Sequence, residues 1–157
     1  MAVLRDPVAR AFSAWNMFRD FAGSGTYGHL HDARSFEQAI DDEMAGRNAP
    51  HAHAYLARGE YAVQIARWFD LFGRDRVQVF GYPQLRDGPE GVVNAIATAL
   101  GLAPFSGDPS VFVRRRNTRP YLAPIDPAVR ERLDRHFAPH HAQLEQLLGH
   151  AIDLKEA

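Results

Sequence analysis

The sequence predicts an α/β fold, mostly helical, with a small parallel sheet. Three observations carry that expectation. A short apolar run, Met1 to Leu4, gives way at once to Asp6-Pro7, a helix N-cap followed by proline at the first helical position. A second strand-like run, Val77-Gln78-Val79-Phe80, is flanked on both sides by helical periodicity. Strand, helices, strand, helices is the order that builds a parallel sheet with crossover helices. Two or three strands make a poor sheet by themselves, so the expectation is the remnant of a larger one.

Taken in order, the first helix has Val8, Ala11, Phe12 and Trp15 at helical spacing and is expected to run to Arg19. Phe21 to Asp32, rich in Gly, Ser, Thr and His, reads as a loop. Ser35 with Gln38 forms a capping box ahead of Phe36, Ile40 and Met44. Gly46 to His53 breaks that helix. Tyr61, Ile65, Trp68, Phe69 and Phe72 then define a strongly amphipathic helix ended by Gly73, with Trp68, Phe69 and Phe72 expected in the core. Gly81-Tyr82-Pro83 ends the second strand, and Asp87-Gly88-Pro89 opens a helix carrying Val92, Val93, Ile96 and Leu100. Ala103 to Ile125 reads as loop, with a short strand at Val111-Phe112-Val113. Asp126-Pro127 repeats the cap signal before Val129, Leu133 and Phe137. Pro139 is expected to reset the chain into a separate last helix bearing Leu144, Leu147 and Leu148, closed by Gly149.

With 157 residues, 46% of them hydrophobic and 24% charged, the chain fits one globular domain, residues 1–157, and excludes disorder or a fibre. Cysteine is absent, which removes disulfides, thiolate metal sites and thiol nucleophiles. The formal charge of -1 provides no global field toward nucleic acid or anionic lipid, so any anion site must be local. Lys155 is the sole lysine, which makes nearly all positive charge guanidinium, suited to bidentate phosphate contacts. No apolar run is long enough to span a bilayer and no leader opens the sequence, which favours a cytoplasmic location.

The richest stretch is Leu4-Arg5-Asp6-Pro7-Val8-Ala9-Arg10-Ala11-Phe12-Ser13. It sets an arginine at the carboxyl end of a strand, where ligands of open α/β sheets gather, and follows it with a helix N-terminus that favours anions. Ser13 adds a hydroxyl from the second turn. Two readings fit this spacing: an anion site, or Arg5 paired with Asp6 or another acid while Ser13 fills a small gap on the helix. Arg114-Arg115-Arg116 is a second cationic cluster, either a ligand-facing loop or a solvated charge run. Gly23 to Gly28 is the sole glycine-rich loop, but it lacks a lysine and follows a helix, so it is not expected to cradle phosphate. Eight histidines include the pairs His29 and His31, His51 and His53, and His136 and His140. No carboxylate stands at ligand spacing from any of them, and no metal is expected. Asp41-Asp42-Glu43 reads as a solvated face or a contact for a basic partner.

Together these residues resemble the sulfotransferases that use 3′-phosphoadenosine 5′-phosphosulfate (PAPS), nearest the glycan and bacterial branches. Arg5-Asp6-Pro7, Arg10 and Ser13 look like the family's 3′-phosphate motif. Arg58-Gly59-Glu60-Tyr61 with Gln64, Ile65, Trp68, Leu71 and Phe72 resembles its long helix, and Val77 to Leu85 its next strand and turn. Gly101-Leu102 and the ending Leu147-Leu148-Gly149 fall in matching order. Pro83-Gln84 stands where the family has Glu-Asp. The resemblance implies a P-loop-like sulfotransferase fold, truncated at its amino terminus, with PAPS as sulfuryl donor and a hydroxyl or amine acceptor. It implies Arg5 and Ser13 as 3′-phosphate ligands, and Arg114, Arg115 and Arg116 as a late basic loop closing over the same phosphate. The family's strand and Gly-rich loop for the 5′-phosphosulfate would precede Leu4, so the chain alone is expected to be weakly active or inactive, with no assignable base. The alternative from another class is a non-catalytic helical binding or assembly module, which an unpaired strand edge would dispose toward self-association. Nucleic acid is not an expected partner.

Overall fold

The computed structural model describes residues 1–47, 53–112, 121 and 123–155. Strand β1 (Ala2–Leu4) leads through Asp6 into α1 (Pro7–Arg19), as the cap signal predicts. Helices α2 (Phe36–Met44) and α3 (Tyr61–Phe72) follow, then strand β2 (Val79–Gly81), the short α4 (Tyr82–Asp87), α5 (Pro89–Ala99) and the long α6 (Pro127–Leu148). The two strands pair in parallel, Ala2 with Val79, Val3 with Phe80 and Leu4 with Gly81. The parallel sheet and helical bulk match the expected fold class.

Burial divides into two clusters joined by α6. In the first, α1 (Val8, Ala11, Phe12, Trp15, Phe18), α2 (Phe36, Ala39, Ile40), Tyr55, Leu56 and the first half of α6 (Val129, Leu133, Phe137) close on one another. In the second, β1 (Ala2, Leu4), α3 (Tyr61, Ala62, Ile65), the end of α6 (Leu144, Leu148) and the tail residues Ile152 and Leu154 pack together. The tail runs so close to β2 that a Cβ on Gly81 would meet the Asp153 carbonyl oxygen at 2.1 Å. Only glycine admits that backbone approach.

Four expectations are corrected. Pro139 lies inside one continuous helix instead of separating two. Proline removes one hydrogen bond to the preceding turn, but α6 is anchored on either side of it, through Phe137 in the first cluster and Leu144 in the second, and that packing carries the helix across the break. Pro109–Phe112 is a 3-10 turn in place of a strand at Val111 and Phe112, because the Asp108 carboxylate accepts from the Ser110 N–H (2.9 Å) and hydroxyl (2.6 Å) and folds the chain locally. Val113 is outside the described residues. Trp68 (39% exposed) and Phe72 (59%) lie at the surface, and only Phe69 packs against the second cluster. Finally, the acidic run faces its own protein: Asp41 pairs with Arg132 at 2.8 Å, Asp42 with Arg34 at 3.0 Å and Arg47 at 2.7 Å, and the Glu43 carboxylate accepts from the Leu56 and Ala57 N–H groups.

Candidate functional site

Arg5 is the first residue beyond β1, and the parallel register carries its position to the end of β2. Because Leu4 pairs with Gly81, the next residues along, Arg5 and Tyr82, emerge side by side at the carboxyl edge. The Arg5 guanidinium sits 5.8 Å from the centroid of the Tyr82 ring, within cation–π range. Its carbonyl accepts a 2.9 Å hydrogen bond from the Tyr61 hydroxyl at the start of α3. Burial, over the opposing pull of nearby Arg10, pushes the Tyr61 hydroxyl above its usual range, so it stays a protonated donor. Three elements therefore fix Arg5: its own strand, β2 through Tyr82, and α3 through Tyr61. Spacing alone pointed to neither tyrosine; the signal was the strand register, which no single motif displays.

Asp6 decides how the neighbouring helix end can act. It is buried (4% exposed), and its Oδ1 accepts from the Val8 N–H at 2.8 Å and the Ala9 N–H at 2.9 Å, while its Oδ2 accepts from Arg130 of α6. Pro7 carries no N–H, and the Arg10 N–H already donates to the Asp6 carbonyl at 2.9 Å. The first-turn donors of α1, expected from the sequence to face an anion, are thus consumed by the cap and by the helix itself. An anion at this edge would rest on side chains. Ser13 lies half-buried two turns into α1, at three and four residues from Arg10 and Ala9, the spacing of one helix face.

Arg10 belongs to the same motif but is spent differently. Its guanidinium donates to the Tyr55 carbonyl, tying α1 to the segment before α3, and its Nε is buried without a hydrogen-bond partner among the described residues. Desolvation pulls its pKa down from the ordinary arginine value. Arg114, Arg115 and Arg116 are outside the described residues.

Away from this edge, Asp32 anchors a buried polar network. It receives Arg34 at 2.9 and 2.7 Å and the Tyr55 hydroxyl at 2.8 Å. Burial alone would raise its carboxyl, but these hydrogen bonds outweigh it and hold the group at about 2. Of these partners, Tyr55 belongs to the first cluster, which ties the network to that core. Of the paired histidines, His53 meets the Leu30 carbonyl at 2.9 Å, His136 and His140 stand together one turn apart on α6 beside Glu60, and His51 is outside the described residues. Burial, together with neighbouring His140, pushes the His136 imidazole below its usual range.

Residues 1–119 match the family model described as a sulfotransferase domain. Among solved structures, the fold is similar to the crystal structure of a sulfotransferase from Alicyclobacillus acidocaldarius, with a TM-score of 0.72 and 29% sequence identity over 96% of this chain. The alignment covers 54% of that protein, so this chain spans about half its length. No curated protein gives a significant match. No helix among the described residues is long and apolar enough to cross a membrane. A family match over most of the chain, on a fold whose strand-end arginine is held by two neighbouring elements, places this protein in the sulfotransferase domain family.

Proposed function

We propose that the chain carries the 3′-phosphate half-site of a PAPS-dependent sulfotransferase. The observation that supports this reading is the anchoring of Arg5: a guanidinium at the carboxyl edge of a parallel sheet, flanked by Tyr82 and pinned through its main chain by Tyr61. With its main chain fixed and its guanidinium beside a ring, such a group meets part of the ordering cost of gripping a phosphate before binding. Arg5 would grip the 3′-phosphate, Ser13 would donate its hydroxyl to the same group, and Arg114, Arg115 and Arg116 would add positive charge from the later loop. In the reaction this implies, an acceptor oxygen or nitrogen attacks sulfur in line. The bond from sulfur to the phosphate oxygen breaks, and 3′,5′-diphosphoadenosine departs. The residues named hold the nucleotide in place and take no part in bond breaking, so their contribution is orientation.

Calorimetric titration with 3′,5′-diphosphoadenosine, against adenosine 5′-monophosphate as the nucleotide lacking the 3′-phosphate, tests the reading. The bisphosphate should bind selectively, and Arg5→Ala should weaken it by about tenfold or more, the worth of a charged hydrogen bond. Equal binding of the two nucleotides, or an unchanged affinity in folded Arg5→Ala, would overturn the assignment. A second reading, a non-catalytic binding or assembly module on the same fold, draws on the exposed apolar residues Val63, Leu71 and Phe72 of α3, and it stands if the folded chain binds neither nucleotide.

A further inference from the structure

We infer that Glu60, His136 and His140 form a binding site for a divalent transition-metal ion, with zinc as the best-matched species. The site joins parts of the chain far apart in sequence. His136 and His140 are spaced i and i+4 on α6, so their rings leave the helix on one face, with ring centroids 5.3 Å apart. Glu60, the residue capping the start of α3, reaches across to both: its Oε1 is 3.8 Å from His136 Nε2 and 3.7 Å from His140 Nε2. One ligand atom from each residue falls within 4.8 Å of the other two.

The two carboxylate–imidazole separations are close to what zinc requires. Bonds of about 2.0–2.1 Å in tetrahedral geometry put ligand atoms about 3.3 Å apart, so closing on an ion asks each carboxylate–imidazole distance to shorten by about half an ångström. Two imidazoles and one carboxylate are also the donor set that suits borderline divalent ions, and three protein ligands leave a fourth position for water or an exogenous donor. Two further features set the site apart from a chance meeting of surface groups. His136 Nε2 is shielded from solvent and has no hydrogen-bond partner among the described residues, a state a bound cation would relieve. And Glu60 can approach α6 because the residue before it is glycine: a Cβ on Gly59 would lie 2.7 Å from the Phe137 ring and 3.0 Å from Pro7. The ion would clip the beginning of α3 to α6 at the turn that contains Pro139, where the helix lacks a backbone hydrogen bond. The site is independent of the nucleotide reading, since neither Arg5 nor Ser13 contributes to it.

The test uses untagged, chelator-stripped protein. Titration with Zn2+ by calorimetry should show one ion per chain, and Co2+ should give the intense visible absorption of a low-coordinate site. Either His136→Asn or Glu60→Gln should weaken Zn2+ by about tenfold or more and abolish the Co2+ spectrum, while His29→Asn with His31→Asn leaves both unchanged. Circular dichroism reports that each variant is folded, and Glu60→Gln, a near-isosteric change on a half-buried side chain, keeps the test valid if a histidine variant is not. Absence of stoichiometric Zn2+ binding would overturn the site. So would an affinity that survives the ligand substitutions, or Mg2+ binding as tightly as Zn2+.

Discussion

The two halves of this molecule bury their apolar residues to very different degrees. Around α1, α2 and the first half of α6, the helices enclose a core: Ala11, Ile40 and Leu133 are 0% exposed, and rings of Phe12, Trp15 and Phe36 lie 5.1–5.7 Å from one another. Around the sheet, α3 is covered on one face only. Tyr61, Ala62 and Ile65 meet β1 and the end of α6, whereas Val63, Leu71 and Phe72 stay 59–68% exposed, as do Leu100 and Leu102 beyond α5 at 61–67%. The contrast teaches that apolar periodicity measures what a helix can bury and not what it does bury. By pattern α3 is the more emphatic helix, yet α1 is the better packed, because α1 has neighbours on more of its circumference.

That contrast can be broken experimentally, and the largest effect belongs to the helical half. Leu133→Ala removes a fully buried side chain from the first cluster, and a loss of about 2–5 kcal/mol in urea unfolding is expected. A loss below about 1 kcal/mol would mean that this half repacks freely and the comparison is wrong.

A smaller effect should appear in acid. The Asp32 carboxyl is held at about 2 in the folded protein against an ordinary 3.8. A lowered folded pKa stabilises the native state above the unfolded value and loses that contribution as pH falls through the folded one. Stability should therefore decline between about pH 4 and about pH 2 by about 1–2 kcal/mol through this group, with the decline reduced in Asp32→Asn. Denaturant midpoints across that range check it; identical acid profiles for the two proteins would remove Asp32 from the network's ledger.

The smallest effect is expected on the sheet side. Leu71→Ser with Phe72→Ser should change stability by no more than about 0.5 kcal/mol per residue, since both side chains are more than half exposed. A loss of several kcal/mol would show that this face is covered in solution.

Much of the architecture was legible because local rules are written in neighbouring residues. Asp6-Pro7 and Asp126-Pro127 start helices where expected, Ser35 with Gln38 forms its capping box, and Gly73 and Gly149 end helices at the expected places. The position of Arg5 followed from the same logic, as the residue after a strand and before a cap. Several of the failures depended on partners distant in sequence. Pro139 does not end the helix because the packing that carries α6 past it comes from α1 and α3. Glu60 was not connected to His136 and His140, since only the fold brings α3 to α6. The free N–H groups expected at the start of α1 vanished for a local reason that pattern does not weigh, the Asp6 carboxylate occupying them.

By itself the sequence determined where most of the helices begin, the order of strands and helices, the parallel sheet and the strand-end arginine, since capping, periodicity and proline geometry act over a few residues. Tertiary structure alone decided which faces are covered, that Tyr61 and Tyr82 hold Arg5, and that two histidines share a carboxylate. Those outcomes depend on distances across the fold, and the spacing of residues along a chain does not contain them.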